Sequence, residues 1–269
     1  MTNEAAGAPG SPEHVEYVLR LGDSALVLGQ RLAEWCGHGP ALEEDIALAN
    51  IALDLIGQAR LLLTHAGRIE GKGRDEDRLA YLREVPEFRN ATLAELPNGG
   101  VASAGPATGD YAVTIARNLF FGAYHCELWH ALERSTDAEL AAIAAKSLKE
   151  ARYHFRHAAD WTIRLGDGTD ESHARMQRTL DALWPYTHEL FETDVVEEAV
   201  ARHGIGVASA SLRDGWLAML APVVEEATLR LPAASPFRST GKLGRHSEHL
   251  GYLLTEMQSV HRRYPGASW

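Results

Sequence analysis

Hydrophobic residues recur at helical spacing along most of this 269-residue chain, and alternating strand patterns are scarce. That periodicity restricts the fold to packed helices. It predicts a first helix over 13–35, closed by "CGHGP", where Gly37, Gly39 and Pro40 supply breakers. A second is expected over 42–65, ending at Gly67, a third over 111–134, and a fourth over 138–165, stopped by "GDGTD". A fifth opens near Asp170 and is expected to bend at Pro185. A sixth covers 212–231, with Pro222 as a kink, and a last one covers 247–263. Two long connections interrupt the series. "GKGRDEDRLAYLREVPEFRN" (71–90) reads as a charged, partly helical crossover, and "PNGGVASAGPATGD" (97–110) as a mobile glycine-rich link. Two hairpins joined by a crossover are what a ferritin-like four-helix bundle needs. The chain is therefore read as all-α: a disordered tail over 1–12, then one domain over 13–269, with the additional C-terminal helices packed outside the bundle.

Composition fits that scheme. Hydrophobic residues make up 45% of the chain, enough for a sizeable core without disulfides. Cys36 and Cys126 match no zinc or redox spacing, which points to a reduced, cytoplasmic protein. The start "MTNEAAGAPGSPEH" has neither the basic end nor the apolar run of a signal peptide. No uninterrupted apolar run reaches bilayer length, so no membrane partner is expected. The net charge of −11 argues against a nucleic-acid partner.

Polar residues form lines along otherwise apolar helices. In "DIALANIALDLIGQARLLL" (45–63), Asn50, Asp54 and Gln58 are four residues apart and share a face. The first helix has Asp23, Gln30 and Glu34. The third has His125, Glu127 and His130. The fourth has Ser147, Glu150, His154 and His157. Such lines either face solvent or face the interior, where each group needs a partner. The second helix is so apolar elsewhere that its line is expected to face inward. A buried polar network of Asp23, Gln30, Asn50, Asp54, Glu127 and Glu150 follows.

Di-iron carboxylate bundles take a Glu from each of two helices and Glu-x-x-His from each of the other two. Here Ala151 stands three before His154, with Glu150 four before it. Leu55 stands three before Gln58, whose neutral amide is a poor iron ligand. The set Glu34, Asp54, Glu127, Glu150 and His154 is short of an imidazole and has displaced carboxylates. The count predicts a hydrogen-bonded polar core in place of a metal site.

Three long strings carry a specific resemblance: "YVLRLGDSALVLGQRLAEWCGHGPALEEDIALANIALDLIGQAR" (17–60), "LAAIAAKSLKEARYHFRHAADWTIRLGDGTDES" (140–172) and "STGKLGRHSEHLGYLLTEMQ" (239–258). Together they closely resemble the PaaC-type subunits of the bacterial phenylacetyl-CoA epoxidase. The resemblance implies a ferritin-like, non-catalytic relative of the catalytic di-iron subunit, with which it pairs. It implies that the complex epoxidises phenylacetyl-CoA with O₂, and that a reductase carrying flavin and iron-sulfur draws electrons from NADPH. It also implies that no cofactor is bound by this chain. Carried across by position, Glu34 stands at the first helix's iron glutamate, Leu55 and Gln58 at the first Glu-x-x-His, Ala151 and His154 at the second, and Gly122 near the third helix's carboxylate.

No acidic residue lies between Glu226 and Glu248, whereas Arg230, Arg238, Lys242, Arg245 and His246 do. Glycines and cations before a helix suit an anion, either coenzyme A phosphates or an acidic partner. The plain alternative is a solvated segment, or one tied to acids of the same chain, and partner contact or such internal ties rank above contact with the substrate. "REVPEFRN" offers Glu87, Phe88, Arg89 and Asn90 as a second coenzyme A contact, with Phe88 expected to be exposed to meet adenine. Trp35, Leu55, Trp129, Trp161, Trp184 and Trp216 are candidates for an association surface, and self-association is expected when the partner is missing. The leading function is a structural subunit of a ring-epoxidising monooxygenase. Its rivals are a stand-alone di-iron oxidase or ferroxidase using Glu34, Asp54, Glu127, Glu150 and His154, and a plain helical adaptor.

Overall fold

The computed structural model describes residues 6–100 and 109–267. In chain order the helices are α1 (Pro12–Ala33), α2 (Leu42–Glu70), α3 (Glu76–Tyr81), α4 (Thr92–Glu95), α5 (Tyr111–Leu132), α6 (Ala138–Gly166), α7 (Asp170–Thr187), α8 (Val195–Arg202), α9 (Arg213–Glu226) and α10 (Glu248–Arg263). Among the described residues there is no strand, only the isolated bridge Thr240–Arg245.

The helix ends follow from local chemistry. Ser11 caps α1 by accepting from the His14 amide, and Pro12 loses nothing in the first turn, where its missing N–H has no partner. Asp137 caps α6 by accepting from the amides of Glu139 and Leu140. The second helix runs past Gly67 to a left-handed Gly71. Gly67 stays helical because it serves packing: a Cβ there would lie 2.1 Å from the Arg74 carbonyl oxygen. The sixth predicted helix, α9, ends at Glu226, short of Leu231, as Thr228 turns to φ 57°. Pro185 and Pro222 lie inside α7 and α9. The crossover contains α3, and α8 carries no long periodic signal at eight residues.

Helices α1 and α2 form one antiparallel hairpin and α5 and α6 another, with α2 against α6. This is the ferritin-like bundle. Helices α7 and α9 cover α5, and α10 lies on α3 and α4. As a result α1 is almost wholly buried, while α2 keeps one side open. Trp129, Trp216, Phe120 and Phe121 fill the core, and Trp35, Leu55 and Trp184 are buried with them. Only Trp161 of the suggested association residues is even half-buried. Large aromatic area is most stabilising inside, so these residues are core and not a docking surface.

The expected tail is partly structured: Gly7 is buried against Ala199 of α8, and its amide donates to Glu13. Residues 1–5 lie outside the described residues, as does 101–108, most of the glycine-rich link. Helix α2 is long and apolar enough to span a bilayer, with mean hydropathy 1.6 over its best 18-residue window. The expectation concerned uninterrupted apolar runs, and α2 reaches this length with Asn50, Asp54 and Gln58 interrupting it. In the fold 44% of that window is buried, much of it against α1.

Candidate functional site

The seam between α2 and α6 holds Asp54, Gln58, Glu150 and His154 of the residues that the iron pattern singles out. His154 pairs with Asp54 at 3.0 Å, and the Gln58 amide donates to Glu150 at 2.8 Å. Lys146 lies 3.3 Å from Glu150. His157 and the Tyr111 hydroxyl both meet Glu44, at 2.8 and 2.6 Å. Burial pushes the His154 pKa down, only partly offset by Asp54. His125, nearby on α5, is driven down to about 3 by burial and then by His154, so it is neutral at pH 7.

These side chains do not make a pocket for two irons. Leu55 and Ala151 are buried and bring no ligand atom. At Gly122 a Cβ would sit 2.8 Å from the Phe155 Cα, so α5 and α6 approach too closely there for any side chain. Glu34, carried over as an iron glutamate, is at the C-terminal end of α1 and takes bonds from Arg31 and Asn98, at 2.5 and 2.8 Å. The α1 residue that faces Leu55 is Gly29, and Glu34 lies more than a helical turn beyond it. The donor set therefore does not fit a di-iron centre.

The inward polar line also needs correction. Gln58 is buried, but Asp54 is half-exposed and Asn50 is exposed. The line sits at the rim of the α2–α6 seam. Solvent meets an apolar face of α2 instead. Glu127 is half-buried and lies against Gly215 of α9, and Gln30 is half-buried. Asp23 is fully buried, but in another place: it pairs with Arg83 and accepts from the Arg89 amide at 2.8 Å. Arg83 in turn stacks on Phe88.

Phe88 is fully buried, contrary to the exposed aromatic expected there, and Asn90 is buried beside it. Glu87 and Arg89 line a surface cleft of about 350 Å³ with Glu16, Glu70, Lys72 and Arg74. Its cations are already paired: Arg89 with Glu16, and Lys72 and Arg74 with Glu70. The basic loop behaves the same way. Lys242 reaches buried Glu197 at 2.8 Å, and its amide donates to buried Glu189. His246 donates to Glu95 at 2.8 Å and to the Phe88 carbonyl at 3.0 Å. Arg238 pairs with Glu192 at the surface. Arg245 is exposed, with no side-chain partner among the described residues. The loop is tied to acids of its own chain, which sequence spacing does not reveal because those acids are 45 to 151 residues away.

A second cluster escaped the sequence patterns. His14, His65 and Asp137 converge from the start of α1, the end of α2 and the cap of α6. Both histidine Nε2 atoms meet one carboxylate oxygen, at 2.9 and 2.6 Å. The Gly10 amide donates to His14 Nδ1, so the ring proton sits on Nε2 and that nitrogen has no lone pair for a metal. The trio is a hydrogen-bonded clasp. Burial acts to raise the Asp137 pKa, but bonds from His14, His65 and the Leu140 amide outweigh it and hold it below the usual aspartate range. Between α1, α5 and the segments packed over them, a partly open space of about 30 Å³, lined by Tyr17, Arg20, Tyr124, His125, Trp129 and Glu197 among others, is of water size and has no room for an aromatic ring.

With this geometry in view, the comparisons decide the family. Residues 2–269 match the phenylacetic acid catabolic protein family. The chain belongs to that family. It is similar to the C subunit of the 1,2-phenylacetyl-CoA epoxidase of Escherichia coli (strain K12), with 48% identity over 253 residues, 94% of this chain and 98% of the relative. Membership agrees with the ferritin-like bundle, and the family match extends through the C-terminal helices as well as the bundle.

Proposed function

We propose that this chain is a non-catalytic structural subunit of a phenylacetyl-CoA 1,2-epoxidase in aerobic phenylacetate degradation. It pairs with the catalytic di-iron subunit and stabilises it, in the cytoplasm. The near full-length similarity to one component of such an epoxidase supports the complex. The observation that carries the structural role is the closed α5–α6 contact at Gly122, together with Leu55 and Ala151. Where a catalytic bundle needs ligands, this one has helix packing and neutral or paired polar groups. Iron then belongs to the partner, and flavin, iron-sulfur and NADPH to a reductase component. A share in holding coenzyme A draws no support from Phe88, Lys242 or His246, which are engaged within the chain. Arg245 is the one residue of the basic loop that still fits that role.

Co-expression with the catalytic subunit, followed by isolation and metal counting, tests the proposal. The expected result is a stable complex whose iron follows the partner, and an isolated chain without tightly held iron after loading. Two tightly bound irons in the isolated chain, with oxygen-dependent turnover, would instead establish the stand-alone oxidase.

A further inference from the structure

Helix α2 turns an apolar ridge to solvent. Leu42, Ile46 and Leu53 are 72%, 53% and 65% exposed, and Ile56 and Leu61 are 36% and 39%. The spacing of Leu42, Ile46, Leu53 and Ile56, by four, seven and three residues, keeps these four on one side along the first half of the helix, with Leu61 at the edge of that side and the exposed Arg60 beyond Ile56 on it. A helix that is apolar on its outer side is explained by something that covers it.

A glycine in this ridge points the same way. Gly57 lies mid-helix, where glycine costs about 0.5–1 kcal/mol relative to alanine. A Cβ there would meet nothing within 4 Å, so no contact inside the chain calls for glycine. By contrast Gly22 and Gly29 on α1 and Gly122 on α5 all sit against a neighbouring helix. A gap between Leu53 and Leu61 suits close approach of another helix.

The neighbour of this ridge is positively charged. The outer side of α6 exposes Lys146, Lys149, Arg152, Arg156 and Arg164 against one exposed carboxylate, Asp160. Tyr153, 42% exposed, lies between these cations and the α2 seam. Lys146 is engaged by Glu150, but Lys149 and Arg156 have no carboxylate partner among the described residues. The partner that fits is a helix with an apolar stripe and acidic residues along one flank. A second copy fits poorly: two-fold pairing brings the same patch from both sides, so α6 cations gain no acidic flank of matching extent.

We propose that the exposed α2 ridge and the adjoining cations of α6 form the docking surface for an acid-flanked amphipathic helix of the catalytic di-iron subunit. The proposal rests on the subunit role given above. It predicts a coiled-coil-like seam centred on Leu53 and Gly57, with Lys149 and Arg156 setting orientation and salt dependence.

The test uses the full chain purified with the co-expressed catalytic subunit. Leu53→Asp should weaken the pair about 30-fold or more. Lys149→Glu with Arg156→Glu should weaken it about tenfold and flatten its salt dependence. Val260→Asp, at a 51% exposed site on α10, should change neither. All replaced side chains are exposed, so circular dichroism and melting should match the parent. If the parent pairs and Leu53→Asp pairs as tightly, the surface is wrong while the subunit role stands. If the parent does not pair, both fall. If Leu53→Asp abolishes only self-association of the isolated chain, or only binding to anionic vesicles, the ridge serves a second copy or a lipid surface and the proposal is overturned.

Discussion

Replacing Gly122 by alanine tests how tightly α5 and α6 close on each other. The new Cβ would lie 2.8, 2.9 and 3.1 Å from Phe155 Cα, N and Cβ. The first two are backbone atoms of α6, which cannot rotate away, so the helices must separate locally. Overpacking of this kind costs about 1–3 kcal/mol. Alanine also gains about 0.5–1 kcal/mol of helix propensity over glycine. The balance is a loss of up to about 2.5 kcal/mol, centred on about 1 kcal/mol, or about 2–4 °C in melting temperature at that centre for a chain of this size. Gly57→Ala supplies the internal control: the same propensity gain applies and no atom lies within 4 Å, so the isolated chain should be stabilised by about 0.5–1 kcal/mol. Urea unfolding followed by circular dichroism measures both. Opposite signs support the closed contact. Equal stabilisation by both substitutions would show that α5 and α6 part easily at Gly122, and would remove the main physical ground for excluding a ligand there.

Three further outcomes can be checked. His154→Ala should cost about 1–3 kcal/mol, because it empties a buried site and breaks the bond to Asp54, while the assembled complex keeps its specific activity; lost turnover with unchanged melting would contradict this. Lys242→Met should cost about 3 kcal/mol by leaving buried Glu197 without its cation, although Ser209 still donates to that carboxylate; an unchanged unfolding midpoint would contradict the internal tie. His246 has a raised pKa: burial acts to lower it, but Glu95 and the Phe88 carbonyl outweigh that. A pKa raised on folding means stability fully present below the unfolded value of about 6.5 and lost as pH rises through the folded value. The parent minus His246→Gln difference in unfolding free energy should therefore shrink from pH 6 towards pH 9. Growth of that difference over the same range would reverse the assignment.

The helices of the bundle were legible because 3.6-residue periodicity and breakers such as Gly37 and Pro40 act locally. The missing ligands were equally legible: Leu55 and Ala151 have no donor atom in any fold. Direction was harder. Asn50, Asp54 and Gln58 share a face, but which way it turns depends on what covers α2, and the sequence of α2 alone does not hold that. Phe88 looked available within "REVPEFRN" until Arg83 and Asp23 closed over it. Lys242 and His246 looked like an anion site until α8 and α4 brought Glu197 and Glu95 to them.

The sequence by itself therefore determined the helical class, the hairpin order and the lack of side-chain donor atoms at Leu55 and Ala151, since each depends on residue type and near spacing. Only the tertiary structure decided that α5 and α6 touch at Gly122, that the basic loop is neutralised from within, and that α2 presents its apolar side to solvent. Those three depend on distances between residues far apart in the chain, which packing sets and periodicity does not encode.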